Sequence, residues 1–178
     1  MKGTARLVLA LCLLLPGCGY SLVGRGIAID PSIKRIGVPL FKDTKGKAGL
    51  DQLVTRKVIE ELLKRHRFDV VQESTGVDAL VEGTITDYRV VPVGFGASGV
   101  GGTTGQTQAS RYSISLTVSV RYTKVGQTEP IWENGAYTYS DEYDIGDANT
   151  FFEREDQTLE RLTTTFARNL ISAMLEAF

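Results

Sequence analysis

The sequence predicts an α+β fold, a two-layer sandwich with two helices packed on one face of a mostly antiparallel sheet of about four or five strands. Three stretches predict it. Between Tyr112 and Thr123, apolar Tyr112, Ile114, Leu116, Val118, Val120 and Tyr122 alternate with Ser113, Ser115, Thr117, Ser119, Arg121 and Thr123. A period of two with one apolar side is the pattern of a strand in an antiparallel sheet covered on a single face. Leu50, Leu53, Val54, Val58 and Leu62 recur at three- and four-residue steps, and Leu159, Leu162, Phe166, Leu170 and Met174 do the same near the end of the chain. Each set is the stripe of a helix with one buried side.

The chain opens on a cationic head, Lys2 and Arg6, followed by apolar Leu7 to Leu15 and then Pro16, Gly17 and Cys18. A charged head, a short apolar run and a small residue before a cut are the pattern of a secretory signal. The run falls well short of the roughly 20 residues a membrane-spanning helix needs. With a cysteine directly after the small residue, Leu15-Pro16-Gly17-Cys18 resembles the lipobox of bacterial lipoproteins, Pro16 departing from the usual Ala, Ser or Thr. The resemblance implies a signal peptide over residues 1–17 and acyl groups such as palmitate on Cys18, and the remaining 18–178 have the length of a single ordinary domain. Each buried methylene contributes about 0.8 kcal/mol, so several chains anchor firmly where one does not. Gly19 stands where an aspartate would favour the inner membrane, which by the same resemblance points to the outer membrane of a Gram-negative bacterium. The alternative is a plain secretory signal with an unmodified cysteine.

Composition narrows the functions open to the chain. Without Lys2 and Arg6 the 20 basic residues fall to 18, against 21 acidic ones, a net charge of −3. A nucleic-acid partner would call for a basic excess or stripe. Cys12 leaves with the signal and Cys18 is the lipid site, so no thiol pair remains for a disulfide and stability must come from a packed core.

The segment Ile33 to Phe41 reads as a strand, with Pro39 marking a sheet edge or the strand's exit because it has no N–H to donate. A polar loop with lysines and glycines, Lys42 to Gly49, leads to the first helix over Leu50 to His66. Lys64, Arg65 and Arg67 suit its C-terminal dipole. Phe68 to Gln72 reads as a short strand, and Ala79 to Val91 as a longer one with Gly83 as a bulge. Val90 to Ser110 holds six glycines and no charge, and reads as a glycine-rich loop, either a floppy hairpin tip or a segment that orders against a partner or lipid. After the alternating strand, Lys124 to Pro130 is a turn and Ile131 to Ser140 the partner strand. Thr150 and Glu153 form a capping box for the last helix, whose stripe continues to Phe178.

No catalytic set emerges. His66 is the single histidine, lies among cations at a helix end and reads as a solvated side chain. There is no Gly-x-Ser-x-Gly elbow, phosphate-binding glycine loop or metal-ligand spacing. Asp141, Glu142, Asp144 and Asp147 do not match a calcium loop and read as a solvated strand exit. Glu153, Glu155 and Asp156 are explained by the helix dipole. Tyr137, Tyr139 and Tyr143 are either cross-strand packing or an exposed aromatic patch. Arg111, Arg121 and Arg154 are either solvated surface or grips for the phosphates of an anionic lipid, which a guanidinium binds through two parallel hydrogen bonds.

Three further features carry a family resemblance. Cys18-Gly19-Tyr20-Ser21-Leu22, the aromatic-led strand within Ala109 to Tyr122, and Phe151 to Leu170 with Gln157, Arg161 and Leu162 are similar, in that order, to the lipopolysaccharide-assembly lipoproteins of the LptE family. The resemblance implies a non-enzymatic protein, and the residues themselves offer no cofactor or metal motif. It implies an outer-membrane lipoprotein that plugs a lipopolysaccharide-export β-barrel, assists its assembly and helps deliver lipopolysaccharide to the outer leaflet. By position, Arg154 matches a basic lipopolysaccharide-contacting residue before the last helix. The charge-free Val90 to Ser110 departs from a basic hairpin tip, and Arg111 is the nearest substitute. The alternative reading is an accessory module of another envelope assembly or secretion complex.

Overall fold

The computed structural model describes residues 30–97, 107–145 and 151–176. In chain order they form β1 (Arg35–Gly37), β2 (Lys42–Asp43), α1 (Leu50–Leu63), β3 (Asp69–Val71), β4 (Ala79–Ala97), β5 (Thr107–Lys124), β6 (Trp132–Asp144) and α2 (Phe151–Glu176). The fold is α+β, as the periodicities predict. Cys18, the rest of residues 1–29, and Thr150 of the capping box lie outside the described residues.

The sheet has six strands in the order β3-β1-β4-β5-β6, with β2 also against β4. It is mixed rather than a simple antiparallel sheet of four or five strands. β1 runs parallel to both β3 and β4, with Ile36 opposite Val70 on one side and Ala79 on the other, and β2 is parallel to β4. Parallel neighbours require a crossover, which α1 supplies between β2 and β3. Asp78 fixes the start of β1 by accepting the backbone N–H groups of Lys34 and Arg35, each at 2.8 Å. Pro39 lies between β1 and β2, where the chain leaves one ladder and enters the next.

The rest of the sheet is an antiparallel meander. β4 pairs with β5 from Ala79↔Lys124 to Ala97↔Thr107, and β5 with β6 from Arg111↔Asp144 to Tyr122↔Trp132. The glycine-rich loop over 90–110 is therefore much shorter than its composition indicates. Strand pairing holds residues 90–97 and 107–110, and 98–106 lie outside the described residues. Gly94 shows why glycine suits this ladder: a Cβ there would sit 2.9 Å from the Cβ of Arg111. Beyond Ile85, no strand covers the outer side of β4 among the described residues. Pro92, which has no N–H, and the extra residue Val93 blunt that edge.

Gly83 is not a bulge. It pairs regularly with Val120, and the place a Cβ would take is filled by the ring of Phe41. The bulge falls at Thr86, between Ile85 and Asp87. One extra residue reverses the alternation, turning Tyr88 to the side of its partner Leu116 and Asp87 to the other side.

One core cluster joins the sheet and both helices. Leu50, Val54, Val58 and Leu62 of α1 and Leu162, Phe166, Leu170 and Met174 of α2 meet Ile36, Val38, Val81, Ile85, Ile114, Leu116 and Val118. The helices are tied to each other by Lys57–Glu160 at 2.7 Å and by Arg65 donating to Ser172 Oγ at 2.7 Å. His66 follows α1 with φ 52 and is exposed, in keeping with the solvated reading.

Candidate functional site

The two sides of β5 and β6 differ. On the core side, Tyr137 meets Phe166 edge-on at 5.6 Å, and Tyr143 stacks on Tyr112 at 5.8 Å. These two tyrosines pack rather than form an exposed aromatic patch. On the other side no element covers the ladder among the described residues, and its side chains satisfy one another. Ser115 and Ser140 hydroxyls lie 2.9 Å apart, as do those of Thr117 and Thr138. Arg111–Asp144 and Arg121–Glu133, both at 2.8 Å, close the strip at its two ends. From Arg111 to Arg121 the strip is about 34 Å long at a strand rise of about 3.4 Å per residue. Beside it a shallow cleft of about 460 Å³ opens between the Pro39–Lys42 segment and Glu82, Thr84 and Ser119.

Of the acidic stretch, Glu142 and Asp144 are exposed at the end of β6, Asp147 lies outside the described residues, and Asp141 alone departs from a solvated strand exit. Asp141, Glu142 and Asp144 lie within β6 itself. Asp141 turns inward opposite Ile114 and accepts a 2.7 Å bond from Arg161 of α2, which holds its carboxyl below the ordinary carboxylate range against the opposing effect of burial.

Arg111 and Arg154 share one end of the molecule but not one surface. Arg111 is exposed on the uncovered side, where the bond to Asp144 raises its pKa. Arg154 is exposed near the start of α2, whose Phe151 lies on the core side, 5.1 Å from the Tyr112 ring. Around them stand the exposed apolar side chains Val91, Val93 and Phe95 of β4 and Phe152 of α2.

A buried polar cluster lies under the same end, with no local signal in the sequence. Glu155 of α2 is buried, and its Oε1 accepts from Lys47 Nζ at 2.7 Å and from the Tyr88 hydroxyl at 2.8 Å. Burial, then the bond to Glu155, pushes the Tyr88 phenol far above its usual ionisation range. Tyr143 lies nearby, its hydroxyl buried and without a partner among the described residues, and burial followed by the Glu155 charge pushes it up to about 12. Helix-dipole logic accounts for an acid near a helix start. It gives no sign that Lys47 and Tyr88 converge on this one from 108 and 67 residues away. Among the described residues no cluster of His, Cys, Asp and Glu could hold a metal ion, and no helix is long and apolar enough to cross a membrane.

The LptE lipopolysaccharide-assembly family model matches residues 33–174. The chain belongs to the LptE family. It is thereby an envelope protein of the lipopolysaccharide-assembly type, as the ordered motifs imply. No curated protein matches the sequence directly. A Xanthomonas campestris protein is similar in structure at TM-score 0.54 and 7% identity, over 82% of this chain and 85% of that one. The PelC dodecamer subunit of Paraburkholderia phytofirmans gives 0.51 and 10%, over 85% and 92%. Rare lipoprotein B of Shewanella oneidensis gives 0.44 and 12%, over 81% and 92%. At such identities the first two likenesses concern the fold alone.

Proposed function

We propose that this LptE-family chain is an outer-membrane lipoprotein, anchored through Cys18 after loss of residues 1–17, whose single 18–178 domain plugs the lumen of a lipopolysaccharide-export β-barrel. It assists the barrel's assembly and the delivery of lipopolysaccharide to the outer leaflet, and it acts without catalysis. Its helices form one layer and its sheet the other, leaving the hydroxyl-lined side of β5 and β6 for the partner.

The observation that carries this reading is that uncovered strip. A barrel lumen of the porin kind is polar and wet. A strip whose hydroxyls and ion pairs already satisfy one another suits such a wall, because little desolvation is left uncompensated when water bridges the two surfaces. Arg111 and Arg154 at the end of the molecule are the lipopolysaccharide contacts, gripping phosphate through their guanidinium groups.

Depleting the chain and following surface lipopolysaccharide together with the folded fraction of the co-purifying barrel tests the reading. Both should fall. Substituting Thr117→Glu and Ser115→Arg should release the barrel while the chain stays folded. Recovery of Cys18 unmodified, or co-purification with a secretion or pilus component in place of an export barrel, would overturn it.

A further inference from the structure

We propose that Lys47 and Tyr88 are positioning residues that act through Glu155 to fix the first turns of α2, and so hold Arg154 where an anionic lipid meets it. This rests on the reading of Arg154 as a lipid contact given above.

Glu155 is the single acidic residue of α2 that is buried. A buried carboxylate keeps its charge only when donors replace the lost water. Here one oxygen receives two: an ammonium at 2.7 Å from the loop before α1, and a phenol at 2.8 Å from β4. The two donors also brace each other, with Lys47 Nζ 5.4 Å from the centre of the Tyr88 ring. The Thr86 bulge makes this convergence available, since regular alternation after Ile85 would turn Tyr88 away from α2. The phenol stays protonated, and so remains a donor, far above neutral pH.

Arg154 directly precedes Glu155 in the helix and is exposed where Glu155 is buried. The two side chains are separated by one step of about 100° around a helix of 3.6 residues per turn. A first turn that swings outward to hydrate an unpaired Glu155 carries Arg154 with it. The rest of α2 is held independently by Arg161–Asp141 and Lys57–Glu160, so the opening stays local. A cluster that only added stability would have no such locality.

The test uses the full chain with Tyr88→Phe, which removes one hydroxyl and leaves the ring, and with Lys47→Met. Amide hydrogen exchange over residues 152–158 should quicken about tenfold or more in each variant while 166–174 stays unchanged. Lys47→Arg should restore the parent pattern. Binding to purified lipopolysaccharide should weaken about five- to tenfold in each variant, and no further when Arg154→Ala is already present. Unchanged exchange at 152–158 in both variants, or equal quickening along all of α2, overturns the proposal. So does a Lys47→Met loss of binding that persists undiminished in the Arg154→Ala background. If the parent and Arg154→Ala bind equally, the lipid-contact reading of Arg154 falls, and with it the proposal's binding half. The exchange pattern then decides whether Lys47 and Tyr88 position the turn at all.

Discussion

The two sides of β5 share one backbone and obey different rules. Ile114, Leu116 and Val118 are fully buried, and each meets side chains of the helices or of neighbouring strands. Ser115 and Thr117, one residue away, meet polar cross-strand neighbours, the hydroxyls of Ser140 and Thr138 on β6 and Arg89 and Asp87 opposite them on β4. The first side is fixed by burial, where volume and shape are specified by everything around it. The second is constrained only to be polar and mutually satisfied, so it can be shaped to a partner without cost to the fold.

The contrast breaks most readily at Leu116. Leu116→Ala should cost about 2–5 kcal/mol, the transfer loss plus a cavity that a joint of sheet and helices cannot close. Thr117→Ala, one position along, should stay within about 0.5 kcal/mol. Chemical denaturation of both variants measures the difference. Similar losses at the two positions would mean that the outer side is also part of the core. Gly83→Val comes next. Its Cβ would overlap the Phe41 ring, which is itself buried. The expected loss is about 1–3 kcal/mol. Phe41→Ala combined with Gly83→Val should lose less than the two single losses added together, because the ring that clashes has gone.

These two sites also mark how much of the molecule could be read from its sequence. Strict alternation gave β5 and its buried side residue by residue, and the three- and four-residue stripes gave both helices. Local periodicity carries that information. What it cannot carry is pairing between distant segments. Nothing in Ile33 to Phe41 says that β1 lies parallel between β3 and β4, and nothing near Gly83 says that a phenyl ring fills its Cβ site. The same holds for the functional end. Arg111 and Arg154 could be singled out as cations, but not that the sheet separates their surfaces. The donors of Glu155 were hidden because a one-residue bulge at Thr86 decides which way Tyr88 points. Glycines and the lack of charge over 90–110 looked like a loop. Residues 90–97 and 107–110 pair with each other instead, because the strand opposite supplies partners for backbone N–H and C=O groups.

A smaller effect sharpens the comparison on the core side. Arg161 keeps Asp141 below its ordinary carboxylate pKa. A depressed folded-state pKa stabilises the fold fully above the unfolded value of about 3.9, and this contribution is lost as pH falls through the folded value. Asp141→Asn should therefore cost up to about 1 kcal/mol at pH 7, limited by solvent screening because Arg161 is largely exposed. Its stability should also fall less steeply than the parent's below about pH 4. Denaturation midpoints between pH 2 and 7 give the two slopes. Parallel slopes would show that the pair is not the coupling between α2 and β6.

The smallest effect on stability should come from Arg111→Ala, and this is where the two sides of the sheet part company most clearly. Its bond to Asp144 is as short as those inside the molecule, yet both side chains are largely exposed, 52% and 71%. Water and salt screen such a pair, and its ordering offsets most of the attraction. The Tm should not move measurably. Lipopolysaccharide binding should weaken nonetheless, and the deficit should shrink as ionic strength rises, because a phosphate contact is screened in the same way. A Tm lowered by several degrees would make Arg111 a structural residue and the polar strip part of the fold's own stabilisation. Unchanged binding at low salt would remove Arg111 from the lipid contact, and leave the end of the molecule to Arg154 alone.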